Sequence, residues 1–168
     1  MVQAYRKREK LGQIDSVGAF MYSSLPIPVL TSNSQHWYIV TATTDLWWGQ
    51  SGRTAFDGAW NDWHSTNIGS WWIAYIQIQL PTASTATQLF FKARVWDPNN
   101  RQPATTITLQ WSNNGSTWTQ LFTQPWLSWT LWQERTFTIT SPWSYLYYKI
   151  NMTASSTWYV ATNQIQLS

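Results

Sequence analysis

Residues 107–122, "ITLQWSNNGSTWTQLF", contain an alternating apolar run, a turn and a second alternating run. Asn114-Gly115 stands at the turn. An Asn-Gly pair between two such runs is the strongest short-range signal for a β-hairpin, because a type I′ turn needs positive φ at both central residues. The segment therefore predicts two antiparallel strands whose register is set by this turn.

Similar alternating runs recur from His36 to the end of the chain. Side chains on a strand alternate between two faces, so a period of two with one apolar face predicts antiparallel sheets that are each buried on one side. The predicted strands cover residues 37–42, 71–80, 89–96, 106–112, 117–122, 135–140, 145–152 and 163–168. No long helical period interrupts them, and the sequence therefore predicts an all-β sandwich or barrel.

The first 35 residues have a different character. Residues 1–35 show no sustained period and include two prolines spaced by one residue, which predicts an extended N-terminal arm or linker before a domain of residues 36–168. Residues 1–10 carry four basic residues and one acid, which accounts for the whole net charge of +3. Because the body is neutral, we expect no nucleic-acid binding over the domain body.

Cysteine is absent, which excludes disulfides and thiolate metal sites. No stretch reaches the roughly 18 apolar residues of a membrane span, and the start lacks the apolar run of a secretory signal. We therefore expect no membrane span and no signal-directed secretion. Release of a virion by lysis would still bring the protein to extracellular ligands; the alternative is a non-classical route to the extracellular space or cell surface.

Three segments in order carry a resemblance to a known family. They are "TAFDGAWNDWHSTNIGSWWIAYIQIQL" (54–80), "LQWSNNGSTWTQL" (109–121), and the pair "SYLYYKINM" (144–152) and "VATNQIQLS" (160–168). Their Asp-Gly loop, Ser-Asn-x-Gly turn and closing strands resemble the discoidin family, also called the coagulation factor 5/8 C-terminal domain, which includes the family 32 carbohydrate-binding modules. The resemblance implies an antiparallel jelly-roll β-sandwich of about eight strands, with ligand bound by loops at one end.

The resemblance also raises a cofactor hypothesis. Many members hold a structural calcium near the Asp-Gly loop, with a further ligand from a glutamate on the closing strand. Asp57 matches the loop aspartate, but Gln164 stands where the glutamate is expected, and a neutral amide is a weaker calcium ligand than a carboxylate. The alternative to calcium at Asp57 and Gln164 is a turn in which Asp57 bonds its own backbone before Gly58.

Fifteen tryptophans are an unusual number for 168 residues. We expect Trp72, Trp111 and Trp118 to be structural, because they fall on inward positions or cover the hairpin end. Ten others fall in predicted loops or at strand ends, where a cluster of exposed aromatics usually marks a contact surface. These are Trp47, Trp48, Trp60, Trp63, Trp71, Trp126, Trp129, Trp132, Trp143 and Trp158.

A sugar presents C–H faces that stack on indole and hydroxyls that polar side chains bind, so its sites combine apolar walls with a few polar groups. The resemblance places the ligand loops in three segments of this chain. The predicted ligand-binding residues are Trp47, Trp48, Arg53, Trp60, Asn61, Asp62, His64, Trp126 and Trp129. The alternative for these tryptophans is packing against neighbouring subunits, of the same chain in a homo-oligomer or of other proteins.

Catalysis has little support in the sequence. His36 and His64 are the two histidines, and no third oriented partner suggests a catalytic constellation. The sequence therefore predicts a non-catalytic carbohydrate-binding module, a component of a phage tail or capsid that recognises host-surface glycan. The alternative is a structural, adaptor or decoration protein of a virion, docked to other structural proteins through residues 1–35.

Overall fold

The computed structural model describes residues 27–43, 51–59, 62–65, 73–94, 103–130, 132–153 and 159–168. Within these ranges it contains ten strands and one short 3₁₀ helix, Gly52–Phe56. The strands are β1 (Ser34–Gln35), β2 (Tyr38–Ala42), β3 (Trp63–His64), β4 (Ile73–Thr85), β5 (Gln88–Ala93), β6 (Thr106–Ser112), β7 (Thr119–Gln124), β8 (Glu134–Thr138), β9 (Ser144–Thr153) and β10 (Ala161–Leu167). No helix of the described part is long and apolar enough to cross a membrane.

The strands form two antiparallel sheets that make a sandwich. The six-stranded sheet has the order β1-β2-β4-β9-β6-β7, and the four-stranded sheet has the order β3-β10-β5-β8. Sequential strands often lie in different sheets, and β9 returns between β4 and β6, as long connections between sheets allow in a jelly roll. The predicted all-β, antiparallel jelly-roll sandwich is confirmed.

The core follows from the alternation of apolar residues. In β4 one face is buried and the other is half-buried or exposed, as a period of two requires. The buried face of β4 consists of Ala74, Ile76, Ile78 and Leu80. Leu89 and Phe91 of β5 are buried in the same cluster from the second sheet. Each such Leu or Ile contributes roughly 1.5–3 kcal/mol when fully buried, so these strands supply much of the stability.

β9 departs from simple alternation near its start. The sequence predicts Leu146 as an inward residue, but the structure buries Tyr145 and leaves Leu146 half-buried. The register between β4 and β9 shifts between Gln79 and Ser84. Five positions of β4 there lie opposite two positions of β9, and the alternation of β9 breaks in the same stretch, where Leu146 and Tyr147 are both half-buried.

The central hairpin is present, with a different turn. β6 pairs with β7, but Gly115, at φ 70°, is the one residue of the turn with positive φ, so the turn is not type I′. Side chains stabilise it instead. Ser112 Oγ accepts the N–H groups of Asn114 and Gly115, and Asn114 Oδ1 accepts those of Ser116 and Thr117 at 3.0 and 2.9 Å.

Two of the three tryptophans that we expected to be structural are half-buried, and one of them, Trp111, packs against the core. Trp111 is half-buried and stacks on Tyr145, with ring centroids 3.9 Å apart. Trp118 is half-buried, and its ring meets that of Tyr147 edge-on at 6.4 Å. Trp72 lies outside the described residues.

The last residues of the predicted arm take part in the sandwich. Leu30 is buried in the core, and its N–H donates to the carbonyl oxygen of Phe56. β1 pairs with β2 at the edge of the six-stranded sheet. Residues 27–35 therefore contact the domain, and an arm over the preceding residues stays a prediction, because residues 1–26 lie outside the described part.

Candidate functional site

At one end of the sandwich, here called the loop end, β2, β5, β7 and β9 end and β4, β6, β8 and β10 begin. β4 begins beside the end of β2, and β6 begins beside the end of β9. In the second sheet, the first residues of β8 and of β10 lie on either side of the end of β5. The residues that continue from these strand ends, and that lie outside the described part, are 44–50, 66–72, 95–102 and 154–158.

The connection from β7 to β8 crosses the loop end from one sheet to the other. The N–H of Leu127 donates to the carbonyl oxygen of Thr105 at 2.8 Å, which ties this connection to the start of β6. Leu127 is buried, whereas its neighbours Pro125, Trp126 and Ser128 are exposed. Leu127 therefore anchors this connection to the sandwich, while the residues on either side of it are open to solvent.

A polar cluster of Asp62, His64, Arg94 and Asn163 lies at the same end. Pairing of β3 with β10 places His64 opposite Ala161, beside the end of β5 from which Arg94 follows. Asp62 Oδ2 is 2.5 Å from Arg94 Nε, and Asn163 Nδ2 donates to Asp62 Oδ1 at 3.0 Å. Arg94 Nη1 donates to His64 Nε2.

The arginine determines the protonation of His64. A guanidinium has no acceptor, so the Nε2 that faces Arg94 must be the acceptor and the ring proton must sit on Nδ1. Burial and the positive charge of Arg94 lower the pKa of His64 from 6.5 to about 4, so the ring is neutral at pH 7. Nδ1 is buried and has no hydrogen-bond partner among the described residues. An unsatisfied buried donor costs about 1–3 kcal/mol, which marks this N–H as a candidate contact for a ligand oxygen.

Arg94 is a member of this cluster that the sequence did not identify. Alternation along β5 places its side chain on the outer face, but the residue follows the last strand position and its guanidinium contacts Asp62 and His64 instead. The scarcity of charge, 10% of all residues, is the one signal that could have drawn attention to it. In such a chain each charged side chain at a strand end is a candidate for function.

Of the predicted polar ligand residues, Asp62 and His64 belong to the polar cluster, and both are buried. Arg53 lies in the 3₁₀ helix, where its backbone N–H donates to Asn33 Oδ1 at 3.1 Å. No hydrogen bond or ion pair joins Arg53 to the cluster within the described residues. Asn61 lies outside them, as do Trp47, Trp48 and Trp60.

The two described ligand tryptophans have different surroundings. Trp126 is 93% exposed and adopts the left-handed φ of 57°. Trp129 is half-buried and donates its indole N–H to the carbonyl oxygen of Ala104 at 2.7 Å. The guanidinium of Arg135 lies 4.6 Å from the Trp129 ring centroid, and the ring of Phe91 lies 5.4 Å away. Protein groups thus occupy ring surface of Trp129 that a sugar would need, whereas Trp126 is open.

The other loop tryptophans divide in the same way. Trp63, which we expected in a loop or at a strand end with the exposed aromatics, is 0% exposed and belongs to the core; that expectation is wrong, because β3 pairs with β10 and turns the indole inward. Trp132 is half-buried. Trp143 is exposed, but it precedes β9 at the opposite end of the sandwich. Trp71 and Trp158 lie outside the described residues.

The calcium hypothesis meets a sparse set of ligands. Asp57 is buried, and its Oδ1 accepts the N–H of Ala59 at 2.8 Å, as expected for the alternative turn. Gln164 lines a small cleft with Gly58 and Phe56, so the structure does bring it beside the Asp-Gly loop. Ca²⁺ takes about six to eight oxygen ligands, several of them charged. The described residues contain no group of three or more acidic, histidine or cysteine side chains, so a calcium ion there would depend mainly on backbone and amide oxygens. Calcium at Asp57 and Gln164 stays a prediction.

No known family model matches this sequence, and no curated protein is similar to it. Solved structures do resemble the fold. A family 32 carbohydrate-binding module of Clostridium perfringens NanJ, in complex with galactose, is 17% identical, with a TM-score of 0.65 over 77% of this chain and 92% of its own. Chitosan-binding module 1 of a chitosanase/glucanase from Paenibacillus sp. IK-5 is 19% identical, with a TM-score of 0.62 over 77% and 92%.

The family named from the sequence motifs is also represented. An F5/8 type C domain of a Bacteroides fragilis protein is 12% identical, with a TM-score of 0.64 over 77% of this chain and 89% of its own. Identities this low establish the architecture alone. The chain therefore has the discoidin-like β-sandwich fold that the family 32 carbohydrate-binding modules share with the F5/8 type C domains.

Proposed function

We propose that this chain is a non-catalytic carbohydrate-binding domain whose ligand site lies at the loop end. The observation that carries the proposal is the polar cluster at the loop end, because the N–H of His64 within it is buried and has no hydrogen-bond partner among the described residues. A hydroxyl oxygen of a sugar is an acceptor that satisfies such a donor. One similar solved structure is in complex with galactose and another is named for binding chitosan, which supports carbohydrate as the ligand class. These structures do not identify which sugar this chain binds.

An ion pair and hydrogen bonds hold the polar cluster together, as a specific site requires. Asp62 pairs with Arg94 through one carboxylate oxygen and with Asn163 through the other. Arg94 in turn fixes the tautomer of His64. Hydrogen bonds to charged groups in a desolvated site are stronger than those at the surface, so donors held in this way discriminate among hydroxyl positions.

Trp126 supplies the apolar part of the proposed site. Its indole is 93% exposed, and its backbone is held in a conformation that non-glycine residues rarely adopt. Exposure and backbone strain both cost free energy, and they are concentrated at positions where a side chain is presented to a partner. The C–H face of a pyranose is a partner that an open indole accommodates.

The test uses the full-length chain on a glycan array, followed by calorimetric titration with the best glycan. Trp126→Ala and His64→Ala should each weaken binding by at least about tenfold, since central aromatic and buried polar contacts dominate such interfaces. Trp143→Ala is the matched control, because that indole is also exposed but lies at the opposite end. Binding to no glycan, or equal losses in Trp143→Ala, would contradict the proposal.

The finer proposal places the domain on a virion, where it recognises glycan of the host surface. Its support is the discoidin-like fold together with a neutral body rich in threonine and glutamine. Mass spectrometry of purified particles should detect the chain at a fixed ratio to the major capsid or tail protein. Absence from particles would contradict this placement, and particle-bound chain without glycan binding would favour the structural or adaptor alternative, in which residues 1–35 and the exposed tryptophans bind other subunits.

A further inference from the structure

The outer face of the six-stranded sheet carries a second group of aromatic and amide side chains, separate from the loop end. Lys149 of β9 stands at its centre. In register, Gln77 of β4 lies opposite Lys149 on one side and Gln110 of β6 lies opposite it on the other. Two positions along β9, Asn151 lies opposite Tyr75.

Lys149 is a half-buried cation held between rings. Its Nζ lies 3.7 Å from the ring centroid of Trp118 and 5.5 Å from that of Tyr75. Burial lowers the pKa of Lys149. The ion pairs of the described residues are Lys92–Glu134 and Arg94–Asp62, so none of them neutralises Lys149. Aromatic faces compensate a desolvated charge only in part, and the ammonium keeps N–H donors for an acceptor.

The charge on this face is of one sign. The acidic residues of the described part are Asp57 after the 3₁₀ helix, Asp62 in the polar cluster and Glu134 on β8, and none belongs to a strand of the six-stranded sheet. A partner that brings a negative charge to Lys149 therefore meets no repulsion from them. Charge complementarity of this kind selects an anionic ligand.

The surroundings of Lys149 have the chemistry of a sugar site. Asn151 Nδ2 donates to Gln110 Oε1 at 2.8 Å, which orients both amides side by side. The rings of Trp118 and Tyr147 meet edge-on, with 79° between their planes, and form a wall beside the lysine. Oriented amides next to aromatic walls bind hydroxyls and C–H faces.

We propose that this face is a second binding site, for an acidic polysaccharide, in which a sugar carboxylate pairs with Lys149 and the adjoining pyranose contacts Tyr75, Trp118 and the amides of Gln110 and Asn151. This site is independent of the glycan site at the loop end, because it uses the outer face of one sheet and none of the polar cluster.

The experiment titrates the full-length chain with oligogalacturonate and with the same oligosaccharide after methyl esterification of its carboxylates. The acidic form should bind, and the neutral ester should bind at least about tenfold more weakly, since one charge-assisted contact is worth about that factor. Lys149→Gln should show the same loss. Lys92→Gln removes the same charge from the other sheet, and it should stay within about twofold of the parent chain.

A second variant tests the site while keeping the lysine. Gln110→Glu places a carboxylate opposite Lys149 in register, and it should weaken binding of oligogalacturonate by competing for the ammonium. Trp126→Ala should leave this binding unchanged, which separates failure of this site from failure of the loop-end site. Equal affinity for acidic and esterified probes, unchanged affinity in Lys149→Gln, or equal binding of dextran sulfate would each overturn the proposal.

Discussion

Residues 62–65 and residues 125–130 lie at the same end of the sandwich, and both segments contain tryptophan. All four residues of the first segment are buried, and Trp63 is 0% exposed. In the second, Trp126 is 93% exposed three positions before the half-buried Trp129. The difference comes from strand pairing, since two residues of the first segment pair with β10 while the second crosses between sheets. An indole at the loop end is therefore a binding candidate only where no strand partner turns it inward.

The largest expected effect comes from emptying the buried indole position. Trp63→Ala should lower the free energy of unfolding by about 3–5 kcal/mol, as large-to-small changes in a packed core do. Trp126→Ala should change it by less than about 0.5 kcal/mol, because a surface side chain makes few contacts to lose. Denaturant titration of both variants measures this. Similar losses of unfolding free energy in Trp63→Ala and Trp126→Ala would contradict the difference in burial between the two indoles.

Acid should also distinguish the two segments, through His64. Its folded-state pKa is lowered to about 4 by burial and by Arg94, whereas the unfolded chain binds the proton near 6.5. Between these values the unfolded state binds more protons, so stability is complete above about pH 6.5 and falls as the pH falls toward 4. A shift of this size corresponds to about 3 kcal/mol.

The measurement is the free energy of unfolding from pH 7 to pH 4. His64→Gln should flatten this part of the profile, and His36→Gln is the matched control, because His36 is exposed in the turn between β1 and β2. If the free energy of unfolding of His64→Gln still falls between pH 7 and pH 4, other groups cause the pH dependence. The argument that burial beside Arg94 keeps the His64 ring neutral would then be contradicted.

The sequence predicts the long strands well and the short strand β3 not at all. Alternation over 106–112 predicts β6 to the residue, and it predicts the buried face of β4, because long strands repeat their pattern often enough to be recognised. β3 has two residues and therefore no period, and its partner in β10 is almost a hundred positions away in the chain. Neither the burial of Trp63 nor the contact of His64 with Arg94 has a local signal.

Trp129 tests whether a half-buried indole belongs to the fold or to the ligand site. Trp129→Ala should lower the free energy of unfolding by about 2 kcal/mol, since it removes the hydrogen bond to Ala104 and the contacts with Phe91 and Arg135. Trp129→Phe restores part of the packing and none of the hydrogen bond, so its loss should be smaller. If Trp129→Ala weakens glycan binding and leaves the free energy of unfolding unchanged, Trp129 belongs to the ligand site, as the sequence predicts, and its role in stabilising the fold is contradicted.

The smallest expected effect is a gain, at an exposed indole far from the loop end. Trp37 is 84% exposed and has a φ of 70° in the tight turn between β1 and β2, at the same end as the turn of Gly115. A side chain in the left-handed region costs roughly 1 kcal/mol that glycine does not incur. Trp37→Gly should therefore raise the free energy of unfolding by about 0.5–1 kcal/mol in denaturant titration. Glycan affinity should stay the same, because exposure alone does not make a tryptophan part of the loop-end site; a loss of stability would show instead that this indole packs against the sheet edge.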